Sequence, residues 1–263
     1  MAKPFIQRKL HQIGKHANLH LINANDSGEL FTEINKLINS DERTLSQNDK
    51  LLRFILENCK DSYAQLKQDL VILFLTRLKV GGFFIEFGAT DGIHLSNTYL
   101  LESRYKWNGI VAEPARIWHK DLLNNRKCSI NLDCVYNQTG TELEFKEAPI
   151  GDLSTISDFS KVDGHNRDNS ITYKVQSISL NDLLSQYGAP KKIDYLSIDT
   201  EGSEYQILKA FNFSEYEFNY ITIEHNYTSE REKIYTLLTQ NGYRRIFASF
   251  SQWDDWYEKV RPE

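Results

Sequence analysis

The stretch FFIEFGATDG, residues 83–92, opens with four bulky apolar residues around a single acid, Glu86. It then breaks into a turn bounded by Gly88 and Gly92. A buried strand gains nothing from an unpaired carboxylate, which is costly away from water. Glycines let the backbone adopt positive φ or approach another group closely. The strand is therefore expected to deliver polar chemistry at its carboxyl end.

Working outward, strand-like and helix-like patterns alternate. FFIEFG is followed by the helical SNTYLLESRYK, the strand GIVAEP, the helix ARIWHKDLLNNR and a third strand SINLDCVY. Residues 137–190 exceed a simple crossover and hold two strand-like pieces, ELEFKEA and ITYKVQSIS. The alternation resumes with IDYLSID, SEYQILKAF, NYITIE and SEREKIYTLLTQ. It closes on YRRIFASF and SQWDDWYEKV, read as an antiparallel hairpin. This order predicts an α/β fold with a doubly wound, mostly parallel sheet whose ligands sit at the carboxyl ends of the strands. Upstream, Leu66, Leu70, Leu73, Phe74 and Leu78 share one helical face, and Ser62 with Gln65 has capping-box spacing.

Acids gather at the expected strand ends. Glu86 lies two residues before Gly88, Glu113 stands 25 residues after Gly88, and Asp199 closes the fourth strand just ahead of Glu201. A carboxylate at the end of the second strand of such a sheet can accept hydrogen bonds from ribose hydroxyls. The turn lacks the middle glycine of G-x-G-x-x-G, and Asp91 is expected to oppose a pyrophosphate. A sulfonium cofactor, S-adenosylmethionine (SAM), suits such a turn.

The chain resembles the FkbM-type family of SAM-dependent methyltransferases. The resemblance is carried by FIEFGATDG, SNT (residues 96–98), IVAEP and above all IDYLSIDTEGSEYQILKAF (residues 193–211). Gln65, Gln68 and Asp69 match a Q-x-x-Q-D element of part of the family, and the likeness covers roughly residues 62–250. It implies a Rossmann-like class I methyltransferase fold, SAM contacts near Glu86, Gly88, Asp91 and Glu113, and chemistry near Asp199. Gln68, Gly92, Asn97, Asp133 and Asp199 complete the set expected to hold the cofactor. The family mostly methylates hydroxyls of sugars, polyketides or glycans.

Methyl transfer to an alcohol needs alignment and loss of a proton. His225, after Glu224 at the end of the fifth main strand, is the expected base, with Asp199 and Glu201 as rivals. Asp199, Glu224 and Asn226 could instead gather Mg²⁺ through oxygen ligands. The polar segment around His165 is read as a mobile loop able to close over the site. The reading is a sugar O-methyltransferase. The alternatives are an NAD-dependent oxidoreductase and a non-catalytic SAM-fold module that binds a glycan or partner through its first 60 residues.

At 263 residues the chain can bury a full core. A net charge of −5 argues against a nucleic-acid surface. The first residues lack the apolar core of a secretory signal, and no apolar run is long enough to span a membrane. Cys59, Cys128 and Cys134 have no metal-ligand spacing and read as reduced thiols, which points to the cytoplasm. Residues 1–60 are expected to form a helical extension, and to carry any self-association, ahead of a methyltransferase domain over residues 61–263.

Overall fold

The computed structural model describes residues 27–162 and 164–261; part of the expected extension, residues 1–26, lies outside the described residues. Helix α1 (Ser27–Asn39) and helix α2 (Gln47–Asn58) come first. The capping box stands at the start of α2, where the Ser46 hydroxyl accepts from the Asp49 amide and the Asp49 carboxylate accepts from the Ser46 amide. The spacing at Ser62 and Gln65 serves otherwise. The Ser62 hydroxyl donates to the buried Asp69 carboxylate at 2.5 Å, and α3 (Gln68–Leu75) begins later, after Lys67 in a left-handed conformation. Helix α3 also stops early. Arg77 and Leu78 take positive φ, so Leu78 leaves the expected helical face and is exposed.

Strand β1 (Phe83–Phe87), helix α4 (Tyr99–Tyr105), strand β2 (Asn108–Ala112), helix α5 (Arg116–Asn125) and strand β3 (Ser129–Asn131) form the first half of the wound sheet. SINLDCVY is not one strand. After β3 the chain turns on Asn131, whose side-chain oxygen accepts from the Asp133 amide, and β4 (Cys134–Tyr136) joins a different sheet. Strands β5 (Glu142–Glu147), β6 (Thr155–Ile156) and β7 (Ile171–Ser179) complete that four-stranded sheet in the order β4-β7-β5-β6. Phe145, Ile156 and Val175 bury its apolar face with Ala115 and Cys134.

After α6 (Leu180–Gln186) come β8 (Lys192–Ile198), α7 (Glu204–Ala210), β9 (Glu217–Glu224), α8 (Glu230–Gln240), β10 (Tyr243–Ile246) and β11 (Asp254–Lys259). The main sheet has the order β10-β11-β9-β8-β1-β2-β3. Its pairings are parallel except those of β11, which lies antiparallel between β9 and β10. The chain winds from β1 toward β3 on one side and from β8 toward β9 on the other, so the winding reverses between β1 and β8. That reversal opens a crevice at their carboxyl ends.

Apolar clusters cover both faces. One joins Leu183, Ile207 and Leu238 to the sheet; the other joins Leu70, Leu101 and Trp256. Leu51 and Ile55 of α2 are buried in the second cluster, so α2 shares the core of the wound domain. No helix among the described residues is long and apolar enough to cross a membrane.

Candidate active site

A cavity of about 550 Å³ opens where the winding reverses. Glu86, Gly88, Glu113, Asp199, Glu201 and Glu224 all line it, delivered by the ends of β1, β2, β8 and β9. The register sets Phe87 beside Ile198, so Gly88 and Asp199 come abreast. Gly88 has φ +74°, and a β-carbon there would collide with the Asp199 carbonyl oxygen. Only glycine fits that approach.

Glu113 closes β2 with its carboxylate buried. Its two oxygens accept from the Thr90 amide at 2.9 Å and from the Ala115 amide at 2.8 Å. Burial pushes its pKa up to about 7 against those two bonds, with Asp152 and Asp199 adding like charge. Each oxygen accepts one of these bonds and retains capacity for a further donor from the cavity.

Asp199, Glu201 and Glu224 converge. One carboxylate oxygen from each lies within 4.8 Å of the others. Burial raises the proton affinity of Asp199 and of Glu224, and like charges nearby raise both further. Glu201 sits at φ +58° and pairs with the buried Arg167 at 3.1 Å. The third acid of the D-x-E-G-x-E motif has another task. One oxygen of Glu204 accepts from the Thr200 and Gly202 amides, locking the turn that carries Asp199 and Glu201.

A family model described as Methyltransferase FkbM domain matches residues 86–256, more than half of the chain. The chain belongs to the FkbM methyltransferase family. Its fold is similar to that of the methyltransferase FkbM from Methylobacillus flagellatus KT, at 13% identity and a TM-score of 0.45. That match covers 88% of this chain and 59% of the other, so this chain spans about three fifths of that protein. It is also similar to precorrin-6y C5,15-methyltransferase from Geobacter metallireducens GS-15, at 12% identity and a TM-score of 0.40, covering 73% of this chain and 87% of that one. An MtNAS variant in complex with S-adenosylmethionine matches at 11% identity and a TM-score of 0.33, covering 99% and 93%. A comparison with curated proteins returned no match.

The structure places the residues expected at the site of this FkbM domain in different surroundings. His225 does not line the cavity. Its Nδ1 accepts from the Tyr227 amide at 2.9 Å, which leaves the proton on Nε2, 3.0 Å from the Asp254 carbonyl that it meets. Both ring nitrogens are spent, and burial lowers its pKa. The ring thereby ties the turn after β9 to β11. Asp91 is also absent from the cavity lining. Its carboxylate accepts from the Ile93 and His94 amides, so the turn satisfies the charge expected to oppose a pyrophosphate. Gly92 is explained by packing, since a β-carbon there would meet Arg126 at 2.6 Å and Leu122 at 2.9 Å. Asp133 lies outside the lining, on the β3–β4 turn.

Glu86 lines the cavity, yet it spends its carboxylate on the fold. It accepts from the Ser96 and Thr98 hydroxyls, the Asn97 amide at 2.5 Å and the Arg126 guanidinium at 3.2 Å. It positions the loop after β1. Gln68 bridges two elements, accepting from the Leu66 amide and donating to Asp254 at 2.7 Å. Asn97 donates to the Ser197 hydroxyl at 2.9 Å, while its buried Oδ1 has no hydrogen-bond partner. Asn226 lines the cavity beside Glu224, with Glu201 completing the acid group.

Arg126, Asp152 and Arg167 carried no motif. Asp152 follows the Pro149-Ile150-Gly151 turn, lines the cavity and approaches His94 at 3.5 Å. Arg167 ties the segment around His165, itself a lining residue, to the acid group through Glu201. Trp253 lines the cavity rim with Tyr227, whereas Trp256 is core.

Proposed function

We propose that this chain is a SAM-dependent O-methyltransferase that acts on a sugar hydroxyl of a glycan, glycolipid or glycosylated metabolite, in the cytoplasm. The observation that carries the reading is Glu113. It is a buried carboxylate steadied by the amides of Thr90 and Ala115, and it opens onto the same cavity as the crowded Gly88 turn. That pairing fits a ribose-bearing ligand laid across the end of β1, where no side chain larger than glycine leaves room. The cavity volume is within the range of small-molecule sites.

SAM, when bound, supplies an electrophilic methyl group. The chain's own residues do the rest. Glu113 accepts from the ribose hydroxyls, and the Glu86–Arg126 network holds the turn in register. Asp199 is the proposed proton acceptor, because burial and neighbouring acids make its carboxylate more basic than a solvated one. Glu201 orients the turn through Arg167. Tyr227 and Trp253 at the rim offer ring faces to a sugar's apolar side.

Calorimetric titration with SAM, its demethylated product and NAD tests this reading. SAM and its product should bind at one site per chain, NAD should not, and Glu113→Ala should weaken both productive ligands. Binding of NAD in preference to SAM would overturn it.

A further inference from the structure

The acid group has the composition of a site for a hard divalent cation. Asp199, Glu201 and Glu224 each bring an oxygen within 4.8 Å of the others, a spacing that one ion can bridge. Charge balance points the same way. The described lining contains six carboxylates and no Lys or Arg. Arg126 balances Glu86 and Arg167 balances Glu201 from behind the wall. Of the other four, Asp152 approaches His94, while Glu113, Asp199 and Glu224 meet no cationic side chain in the described lining, and Asp199 and Glu224 share a side-chain hydrogen bond.

A second observation comes from outside the acid group. Asn97 is 7% exposed and lines the same cavity, and its Oδ1 is buried with no hydrogen-bond partner. Its Nδ2 is held by Ser197, two residues before Asp199 and on the same side of β8. Asn97 is thus held at the wall of the cavity that Asp199 lines, with its buried amide oxygen unpaired. An unpartnered buried amide oxygen is costly, and a cation beside it removes the cost.

We propose that Asp199, Glu201, Glu224 and the Asn97 Oδ1 form a divalent-cation site that takes Mg²⁺ or Mn²⁺. The cation would bind through oxygens alone, as both metals prefer, and water would complete the shell. Its place in turnover rests on the methyl-transfer reading, where it would lower the pKa of an acceptor hydroxyl and draw that oxygen toward Asp199. The site itself does not rest on that reading.

The test uses Mn²⁺ alone with the full-length protein, following loss of the free-ion electron paramagnetic resonance signal. One Mn²⁺ should bind per chain, and Glu224→Gln and Asn97→Ala should each weaken binding at least about tenfold. Mn²⁺ should also raise the melting temperature of the parent protein and not that of Glu224→Gln. This variant relieves acid repulsion and is expected to fold, so its loss of metal response cannot be ascribed to unfolding. SAM is titrated into the same samples. SAM binding with no Mn²⁺ uptake up to about 1 mM, the weak end for oxygen-ligand sites, overturns the metal site alone. Mn²⁺ uptake that both variants leave intact also overturns it. Mn²⁺ uptake without SAM binding overturns the functional reading and leaves the metal site standing.

Discussion

Replacing Arg126 with methionine would cut the link between the β1 turn and the core. The Arg126 side chain is fully buried and pairs with Glu86 at 3.2 Å and Glu102 at 2.5 Å. It also donates to the Thr98 hydroxyl at 2.8 Å and the Gly92 carbonyl at 3.2 Å. Methionine keeps much of the volume and none of the charge. Removing one partner of a buried ion pair typically costs about 3–5 kcal/mol, because the remaining charge cannot regain water. Glu102 is 12% exposed and can rehydrate in part, whereas Glu86 at 3% cannot, so most of the cost falls on Glu86. The expected destabilisation is about 4 kcal/mol, or roughly 8–16 °C in melting temperature for a chain of this size. Urea unfolding followed by circular dichroism measures it. Adding Glu86→Gln to the methionine variant removes the stranded charge and should return about 1–3 kcal/mol as a coupling energy. A loss below about 1 kcal/mol, or strictly additive effects, would refute the view that Glu86 and Arg126 hold the turn as a unit.

Glu113→Ala should weaken SAM by about 1.5–3 kcal/mol, the range for a hydrogen bond to a charged group, and unchanged calorimetric affinity in a folded variant would remove the ribose role. His225→Ala should cost about 1–3 kcal/mol of stability by stranding the Tyr227 amide and Asp254 carbonyl. Its turnover should stay far above the 10²–10⁴-fold loss, of order of magnitude, expected on removing a base; single-turnover kinetics decide between the two roles. The ligand-free protein should lose stability as pH rises from about 4.5 toward 7. Folded Glu113, raised from 4.5 to about 7, keeps a proton there that the unfolded chain releases. Its share is on the order of 3 kcal/mol, and Asp199 and Glu224 act in the same direction. Melting temperatures that climb between pH 5 and 8, or a slope that Glu113→Gln leaves unchanged, would contradict this assignment.

Local pattern was enough for the skeleton of the fold. Alternation of apolar runs with helical periods specified a wound sheet, because period and turn chemistry are properties of neighbouring residues. The Gly88 turn and Glu113 were legible for the same reason: both follow directly from where a strand ends. Strand alternation also required Glu224 and His225 to face opposite ways, but no local signal says which side is the cavity. That choice was made by β11, which inserts beside β9 and takes the Asp254 carbonyl to the imidazole. The fate of each acid was equally non-local. Glu86 and Glu113 resemble one another in sequence, yet one meets Arg126 from the end of α5 and the other meets only amides and the cavity. Asp199, Glu201 and Glu224 converge because β8 and β9 are paired neighbours in the sheet. Asp152 and Arg167 join them only because the second sheet carries its loops back over the strand ends. Which elements meet is set by packing of the whole chain, and with it the environment that makes one carboxylate a brace and leaves another open to the cavity.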